Sequence, residues 1–155
     1  MSHSLHQSKD YFLQQLAYIE ENIKELTNLY LASTPVHERM KHFFHLYVLE
    51  VEDLLKIHHK ENMITTVPKV LIGTRVTVWY DEENESEDYV VCYPEQSDPD
   101  RGFISFLSPV GRQLLFKNIE EQIPLKIPTG ELLVTIKDIS FEGHLLQLDK
   151  KTKEA

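Results

Sequence analysis

Three residues with metal-binding side chains stand close together in the sequence, at Glu38, His42 and His45. Spacings of four and three residues place side chains on one face of an α-helix, where a carboxylate and two imidazoles can reach one cation. Residues 28–34, which would face this segment, contain no carboxylate, imidazole or thiolate, and the eight histidines of the chain are scattered. We therefore interpret the three residues as an exposed helix face and predict no metal centre.

Six carboxylates fall within residues 81–88. Such a run is typical of calcium loops, in which position six of twelve is glycine and position twelve is glutamate. In a loop that starts at Asp81 these positions are Ser86 and Cys92, so the calcium interpretation fails. Repulsion between the carboxylates predicts instead a solvated loop that joins two strands.

The sequence contains no recognisable arrangement for nucleophilic or phosphate chemistry. No serine lies in a glycine elbow, and the five glycines are isolated from one another, so no phosphate-binding loop is predicted. The single cysteine, Cys92, lies in an apolar run, which favours a buried small side chain over a nucleophile. We therefore predict that the protein is not an enzyme and uses no cofactor.

Length and charge narrow the remaining classes. The chain has 155 residues, of which 41% are hydrophobic and 26% charged, as expected for one globular domain with at most a small appendage. A net charge of −9 disfavours sequence-independent binding to nucleic acid, which needs clustered lysine and arginine. No apolar stretch approaches the roughly 20 residues that cross a bilayer, and the first ten residues are polar, so a cytoplasmic protein is predicted.

The first sixty residues have the apolar period of two helices that pack along a seam. Thr34 is a favourable N-cap, Pro35 suits the first helical position, and Glu38 adds negative charge to a first turn, so the second helix is predicted to begin there. Two arms of about 27 residues would form a rod of roughly 40 Å. We predict an antiparallel α-helical coiled-coil hairpin over residues 1–61. Its seam positions are Phe12, Leu16, Ile19, Ile23, Leu26 and Tyr30 in one arm and Met40, Phe44, Tyr47, Val51 and Leu54 in the other.

Beyond a predicted linker at residues 62–68 the apolar period changes to two, which indicates strands. One helix is predicted to open after Ser108 as N-cap, with Pro109 at its first position. The fold class is therefore α+β, with a mostly antiparallel sheet and one helix over residues 69–149 and a charged tail at 150–155. The predicted elements are strands at 70–80, 89–93, 104–107, 122–127 and 132–139, a helix at 109–117 and a last segment at 145–148.

One stretch of this second half resembles the C-terminal domain signature of the Gre transcript-cleavage factors of bacterial RNA polymerase. The resemblance extends over about residues 67–140 and rests on many separated positions that agree in order. It departs from the family at Phe116 and Glu120, where the family has glycine, and at Gln113, where it has alanine. The agreeing positions include Gly73, Asp98, Pro99, Gly102, Ile104, Ser105, Ser108, Pro109, Gly111, Arg112, Leu114, Leu115, Lys117, Pro128, Gly130 and Glu131.

The resemblance implies a domain of FKBP-like fold that docks at the rim of the polymerase secondary channel, while the helical hairpin enters the channel. It further implies that Asp98, Ser105, Ser108 and Pro109 contact the polymerase. Any contact with nascent RNA would be indirect, and neither a membrane nor a specific DNA sequence is an expected partner.

The predicted hairpin tip departs from cleavage-competent members of that family, which present an aspartate and a glutamate there to hold a catalytic magnesium ion. In this chain the tip contains Thr34, Pro35, His37 and Glu38, with Glu38 as the one carboxylate. Weak or absent stimulation of transcript cleavage is therefore expected.

Two alternatives remain open from the sequence. The chain also resembles the nucleoside diphosphate kinase regulators, which are relatives with the same C-terminal domain and a hairpin tip that lacks the acid pair. From a different class, FKBP-like folds include peptidyl-prolyl isomerases, which need an aromatic-lined pocket. The aromatic residues available for such a pocket are Trp79, Tyr80, Tyr89, Phe103 and Phe106.

Overall fold

The computed structural model of the protein describes residues 7–58, 67–143 and 146. These residues fall into two compact units, a helical unit within residues 7–58 and a sheet unit within residues 67–146. The predicted boundaries at residues 61–62 and 149–150, the segment 145–148 except for Leu146, and the tail lie outside the described residues. They stay predictions.

The helical unit contains three α-helices: α1 at Gln7–Glu21, α2 at Ile23–Ser33 and α3 at Phe43–Ile57. Asn22 interrupts the first predicted arm, although the amide of Asn22 still bonds to the Tyr18 carbonyl and the Leu26 amide to the Asn22 carbonyl. The second arm is a single helix of 15 residues, which is about 22 Å long. The prediction of two 27-residue arms and a 40 Å rod was therefore wrong for the second arm.

The prediction that the second helix begins at Thr34 and Pro35 was also wrong. Thr34 is the C-cap of α2, and Pro35 has an extended ψ of 146°, so it cannot be the first residue of a helix. A 3₁₀ turn at Val36–Glu38 follows, and α3 begins only after His42, which has a left-handed backbone with φ 56°. The prediction of a break between two helices at these residues was correct. The break ends α2, and α3 starts several residues later.

The core of the helical unit is rich in aromatic residues and includes a buried polar contact. The Tyr47 hydroxyl donates a hydrogen bond of 2.6 Å to the side-chain oxygen of Gln15, and both residues are fully buried. Near the turn, the Tyr30 and Phe43 rings stack with centroids 4.4 Å apart. Because Tyr47 reaches back to α1 whereas Phe43 meets the end of α2, the chain reverses direction between the helices.

The sheet unit contains five strands and one short helix, α4. The strands are β1 at Thr74–Tyr80, β2 at Glu85–Cys92, β3 at Phe103–Ser105, β4 at Gln122–Ile127 and β5 at Gly130–Phe141, in the order β3-β2-β1-β5-β4. Three pairings are antiparallel, as predicted, but β2 and β3 pair in parallel. The mixed helix and sheet content agrees with the predicted α+β class.

The second half of the predicted acidic loop, residues 85–88, is strand, which corrects the sequence prediction. The turn takes only residues 81–84, and β2 begins at Glu85, opposite Tyr80. Glu87 accepts hydrogen bonds from the hydroxyls of Tyr80 and Tyr89. Burial is the largest cause that raises the pKa of both tyrosines, and Glu87 raises it further. Two tyrosine hydroxyls therefore stabilise the Glu87 carboxylate. The sequence alone shows this carboxylate only as one of a run of like charges.

Helix α4, at Pro109–Leu114, contacts both edge strands of the sheet, β3 and β4. The side-chain amide of Gln113 accepts a 2.7 Å hydrogen bond from the Lys126 amide and donates one of 2.9 Å to the Lys126 carbonyl. At Lys126, the Gln113 side chain thus makes the two hydrogen bonds that the backbone of a neighbouring strand would make to edge strand β4. Pro124 lies two residues away, on the same outward-facing side of the strand, and has no amide to offer. Together these residues limit pairing of the exposed edge with another chain.

Cys92 is buried at the end of β2, as the sequence predicted. Burial, with a smaller contribution from Glu95, raises the pKa of the Cys92 thiol to about 12. A thiol that is neither exposed nor ionised is a poor nucleophile. Among the described helices, none is long and apolar enough to cross a membrane.

Candidate partner-binding surface

Ser105, Ser108 and Gly111 are joined by one set of short contacts where β3 leads into α4. The Ser108 hydroxyl donates a 2.7 Å hydrogen bond to the Ser105 carbonyl and accepts one of 3.1 Å from the Gly111 amide. Ser108 is therefore the N-cap of α4, as predicted, and Pro109 occupies an exposed position in the first turn. The Ser105 hydroxyl accepts a bond from the Leu107 amide and is buried.

Gly111 allows α4 to lie directly against the end of β3. A Cβ at this position would overlap the Ser105 carbonyl oxygen and would lie 3.0 Å from the Ser105 carbonyl carbon and from the Ser108 side-chain oxygen. The backbone contact leaves no room for a side chain. The sequence resemblance marked Gly111 as an agreeing position, and the close approach supplies its physical reason.

Asp98 lies at the other end of β3. Its amide and carbonyl pair with the backbone of Phe103, at 2.8 and 3.0 Å, and it precedes a 3₁₀ turn at Pro99–Arg101. The guanidinium of Arg101 lies 4.8 Å from the Phe103 ring centre. Asp98 is thus held by its backbone, which leaves a half-buried carboxylate beside the exposed turn.

The structure thus brings Ser105, Ser108 and Pro109 together and separates them from Asp98 by the short strand β3. Three extended residues span about 7 Å, so the two ends belong to one continuous loop surface. Pro109 and the 3₁₀ turn are the exposed part of that surface, Asp98 and Ser108 are half-buried, and Ser105 is buried.

The other predicted site, the turn of the helical unit, is held by a residue that the sequence analysis missed. Arg39 donates a hydrogen bond of 3.0 Å to the Thr34 carbonyl and one of 2.8 Å to the Leu31 carbonyl. Its positive charge lies where a helix C-terminus is negative. A basic residue soon after a helix end is the signal that could have identified it.

The exposed part of this turn carries His37 and Glu38, whose side chains lie 3.6 Å apart. Glu38 belongs to the 3₁₀ turn, His42 has a left-handed backbone and His45 lies in α3, so these three residues do not share a helix face. That expectation was wrong. Within the described parts of the chain, no group of three or more histidine, cysteine or carboxylate side chains is placed to hold a metal ion.

Thr34 is buried in this turn at 3% exposure, and its hydroxyl has no hydrogen-bond partner among the described residues. We expect Thr34→Val to increase the free energy of unfolding by about 1 kcal/mol, because valine keeps the shape and removes a buried, unsatisfied hydroxyl. The extended backbone at Thr34 also suits a β-branched residue.

Urea unfolding followed by the far-ultraviolet circular dichroism of the helices measures this change. An N-cap threonine would respond with the opposite sign, a loss of about 0.5–2 kcal/mol on replacement. A destabilised Thr34→Val variant would therefore contradict the C-cap assignment.

The aromatic residues offered for an isomerase pocket do not all face one way. Trp79 and Tyr80 are successive residues of β1, so their side chains point to opposite faces of the sheet. Phe103 and Phe106 are buried in the core. Their packing accounts for them without a binding pocket.

Comparison with known proteins agrees with this geometry. The family model described as "Transcription elongation factor, GreA/GreB, C-term" matches residues 65–141, which nearly coincide with the sheet unit. A transcription elongation factor GreA of a Nitratiruptor species is 30% identical over 134 residues, which cover 83% of this chain and 68% of that protein. The chain belongs to the GreA/GreB family of transcription elongation factors.

Other GreA relatives match over a shorter length. The GreA of Desulfovibrio desulfuricans is 36% identical over 75 residues, 48% of this chain and 46% of that protein. The chain spans about half the length of such relatives. Among solved structures, the transcription factor Gfh1 has a TM-score of 0.45 at 18% identity, covering 84% of this chain and 91% of that one. A GreA/GreB factor from Nitrosomonas europaea has a TM-score of 0.43 at 24% identity, covering 59% and 79%.

The structure explains two departures from the Gre signature. Phe116 and Glu120, which stand where the family has glycine, have positive φ angles of 71° and 68°. This backbone region favours glycine, because a Cβ approaches the following carbonyl oxygen. At both positions the chain therefore adopts a backbone that glycine takes readily, and it accepts the strain of a side chain.

We expect Glu120→Gly to stabilise the sheet unit by about 1 kcal/mol, since it removes that strain at an exposed position. The side chain contributes only a long, exposed contact of 3.8 Å to Lys137. Urea unfolding followed by the fluorescence of Trp79 measures the change. Glu121→Gly is the matched control: it should destabilise, because the Glu121 side chain accepts a 2.9 Å bond from the Asn118 amide. A loss of stability in both variants would contradict the strain argument.

Proposed function

We propose that this protein is an RNA polymerase-binding regulator of transcription elongation, not itself an enzyme. The sheet unit docks at the rim of the secondary channel, and the helical unit enters it. The observation that carries this proposal is the match of the GreA/GreB family model to the part of the chain that forms the sheet unit. We further propose that the sheet unit is FKBP-like and that the helical unit acts as the coiled-coil hairpin of this family.

The proposed contact surface is the exposed part of the loop around β3. Pro109 is exposed and Asp98 and Ser108 are half-buried, but the Ser108 hydroxyl is already bonded to the Ser105 carbonyl and the Gly111 amide, so Ser108 also holds the loop in shape. This division of roles matters for testing the proposal. A substitution of Ser108 would remove the N-cap of α4 and would confuse loss of contact with loss of structure.

The test is co-purification of the full chain with bacterial core RNA polymerase. The two informative variants are Asp98→Arg and Pro109→Glu. An acidic residue is favourable in the first turn of a helix, so Pro109→Glu should fold while it places a charge on the proposed surface. We expect each variant to bind at least roughly tenfold more weakly, as for a residue within an interface.

Asp138→Arg is the matched control, because it makes the same charge change at an exposed position on β5, outside the loop. It should bind like the unchanged protein. If the unchanged protein does not bind polymerase, the proposed function is wrong. If all three variants bind equally well, polymerase binding uses a different surface.

The proposed mode of action is occupation of the channel with little or no stimulation of transcript cleavage. Support comes from the turn that the helical unit would present, where Glu38 is the one carboxylate within residues 34–42. Such a protein would compete with cleavage factors or alter pausing and initiation.

A further inference from the structure

The helical unit has an open apolar groove along one side. The groove has a volume of about 760 Å³ and runs between the α1 and α2 wall and the α3 wall. Leu16, Ile23 and Leu31 line one wall, and Val48 lines the other. Ile23 and Leu31 are each more than 40% exposed, so this face is apolar without being covered.

Exposed apolar side chains are concentrated in this unit. Among the described residues, nine of the eleven large hydrophobic side chains that are exposed lie in the helical unit, which is the smaller of the two. Isolated cases need no explanation, but a contiguous apolar groove marks a site of interaction. Ile23, Leu31 and Met40 are the members of this exposed set that line the groove.

The shape of the groove fits an α-helix. Two packed helices leave a valley on their shared face, and a third helix fills such a valley with its own side chains. Leu16 and Leu31 are 15 residues apart along α1 and α2, which corresponds to about 22 Å of helix. A partner helix of about four turns would span it.

The charge of the groove selects the kind of helix. Glu20 on α1 and Glu52 on α3 place an exposed carboxylate on each wall. Two exposed histidines, His42 and His45, also line the groove, but among the described residues no lysine or arginine does. Two rims of the same sign favour a partner with basic residues on both sides of its apolar stripe. Nucleic acid is disfavoured, because the rims would repel phosphate.

We propose that this groove binds a basic amphipathic helix of another protein. The apolar stripe of that helix would lie on Leu16, Ile23 and Val48, and its flanking lysines or arginines would pair with Glu20 and Glu52. This site lies in the helical unit and is separate from the loop surface around β3 that we propose to contact polymerase.

The test uses the full chain and a fluorescent synthetic peptide of about 15 residues, with leucines at i, i+3, i+4 and i+7 and lysines on both flanks. Fluorescence anisotropy should show saturable binding. Charge reversal by Glu20→Lys with Glu52→Lys should weaken binding about tenfold or more, because both rims then repel the peptide.

Glu21→Lys with Asp53→Lys is the matched control, since each residue is the exposed neighbour of a groove carboxylate and does not line the groove. This pair makes the same change in net charge and should leave the affinity within about twofold. A scrambled peptide of the same composition, and a peptide with glutamates in place of the lysines, should both bind much more weakly.

Several results would overturn the proposal. These are the absence of saturable binding, equal loss of affinity in both charge-reversal pairs, or equal binding of the scrambled or acidic peptide. Sedimentation of the unchanged protein tests whether a second copy of the chain occupies the groove instead. A dimer that Val48→Asp disperses would assign the groove to a second copy of the chain and would also overturn the proposal.

Discussion

Gly111→Ala is expected to destabilise the sheet unit by about 3 kcal/mol or more, which is a large fraction of the stability of a typical small domain. The added methyl group would overlap the Ser105 carbonyl oxygen. That carbonyl cannot rotate away freely, because it accepts bonds from both the amide and the hydroxyl of Ser108. Helix α4 would therefore have to move away from β3.

Such a movement would disturb the core as well as the loop. Leu114, at the end of α4, is fully buried, and the amide of Gly111 is the group that the Ser108 side chain caps. Displacement of the helix would therefore lose packing and a cap together. Because the loop between β3 and α4 is part of the proposed polymerase-binding surface, we also expect polymerase binding to fall.

Urea unfolding followed by the fluorescence of Trp79, the single tryptophan, measures the effect on the sheet unit. Gly130→Ala is a useful comparison, because a Cβ at Gly130 meets no atom within 4 Å and any cost there comes from its positive φ alone. We expect a smaller loss in that variant. If Gly111→Ala unfolds within about 1 kcal/mol of the unchanged protein, the close contact does not constrain α4 as we describe.

The second large effect concerns transcript cleavage. We expect a stalled elongation complex with end-labelled RNA to be shortened no faster with this protein than without it. Holding a magnesium ion needs several oxygen ligands, and each missing carboxylate removes both a ligand and a compensating negative charge. The turn offers Glu38 alone, and its neighbours in the sequence are His37 and Arg39.

Histidine does not replace the missing carboxylate, because imidazole nitrogen is a poor ligand for magnesium. The neighbouring arginine supplies no ligand either, since its guanidinium is a cation and bonds to the Thr34 and Leu31 carbonyls at the end of α2.

A cleavage-competent Gre factor that carries both acids serves as the positive control in the same assay. When both proteins are added to the same assay, this protein should slow the cleavage that the Gre factor stimulates, because both are proposed to occupy one channel. Transcript shortening that requires this protein and disappears in Glu38→Ala would show that one carboxylate suffices. The expectation would then be wrong.

Features that depend on near neighbours were predictable from the sequence. Ser108 as N-cap, with Pro109 after it, involves atoms within four residues, and the structure confirms both. The pairing of β1 with β2 also followed from the apolar period of two and from their short connection, and the structure pairs them antiparallel. The burial of Cys92 follows from the same pattern.

Features that depend on distant groups were not predictable in this way. The Thr34 and Pro35 pair has the same local signature as a helix start, but Arg39 closes the preceding helix and Tyr30 accepts the Met40 amide with its hydroxyl. These contacts compete with the local capping preference and prevail. Likewise, Glu87 accepts hydrogen bonds from the Tyr80 hydroxyl on the neighbouring strand and from the Tyr89 hydroxyl on its own strand, which the run of carboxylates in the sequence does not reveal.

The class of the fold, the start of α4 and, through the Gre signature, the family of the protein could be predicted from the sequence, because those properties repeat locally or match position by position. The parallel pairing of β2 with β3, the contact between Gly111 and Ser105, and the open groove of the helical unit became visible in the folded chain. Each of these depends on how separate segments approach in space. Neither periodicity nor capping preference contains that information.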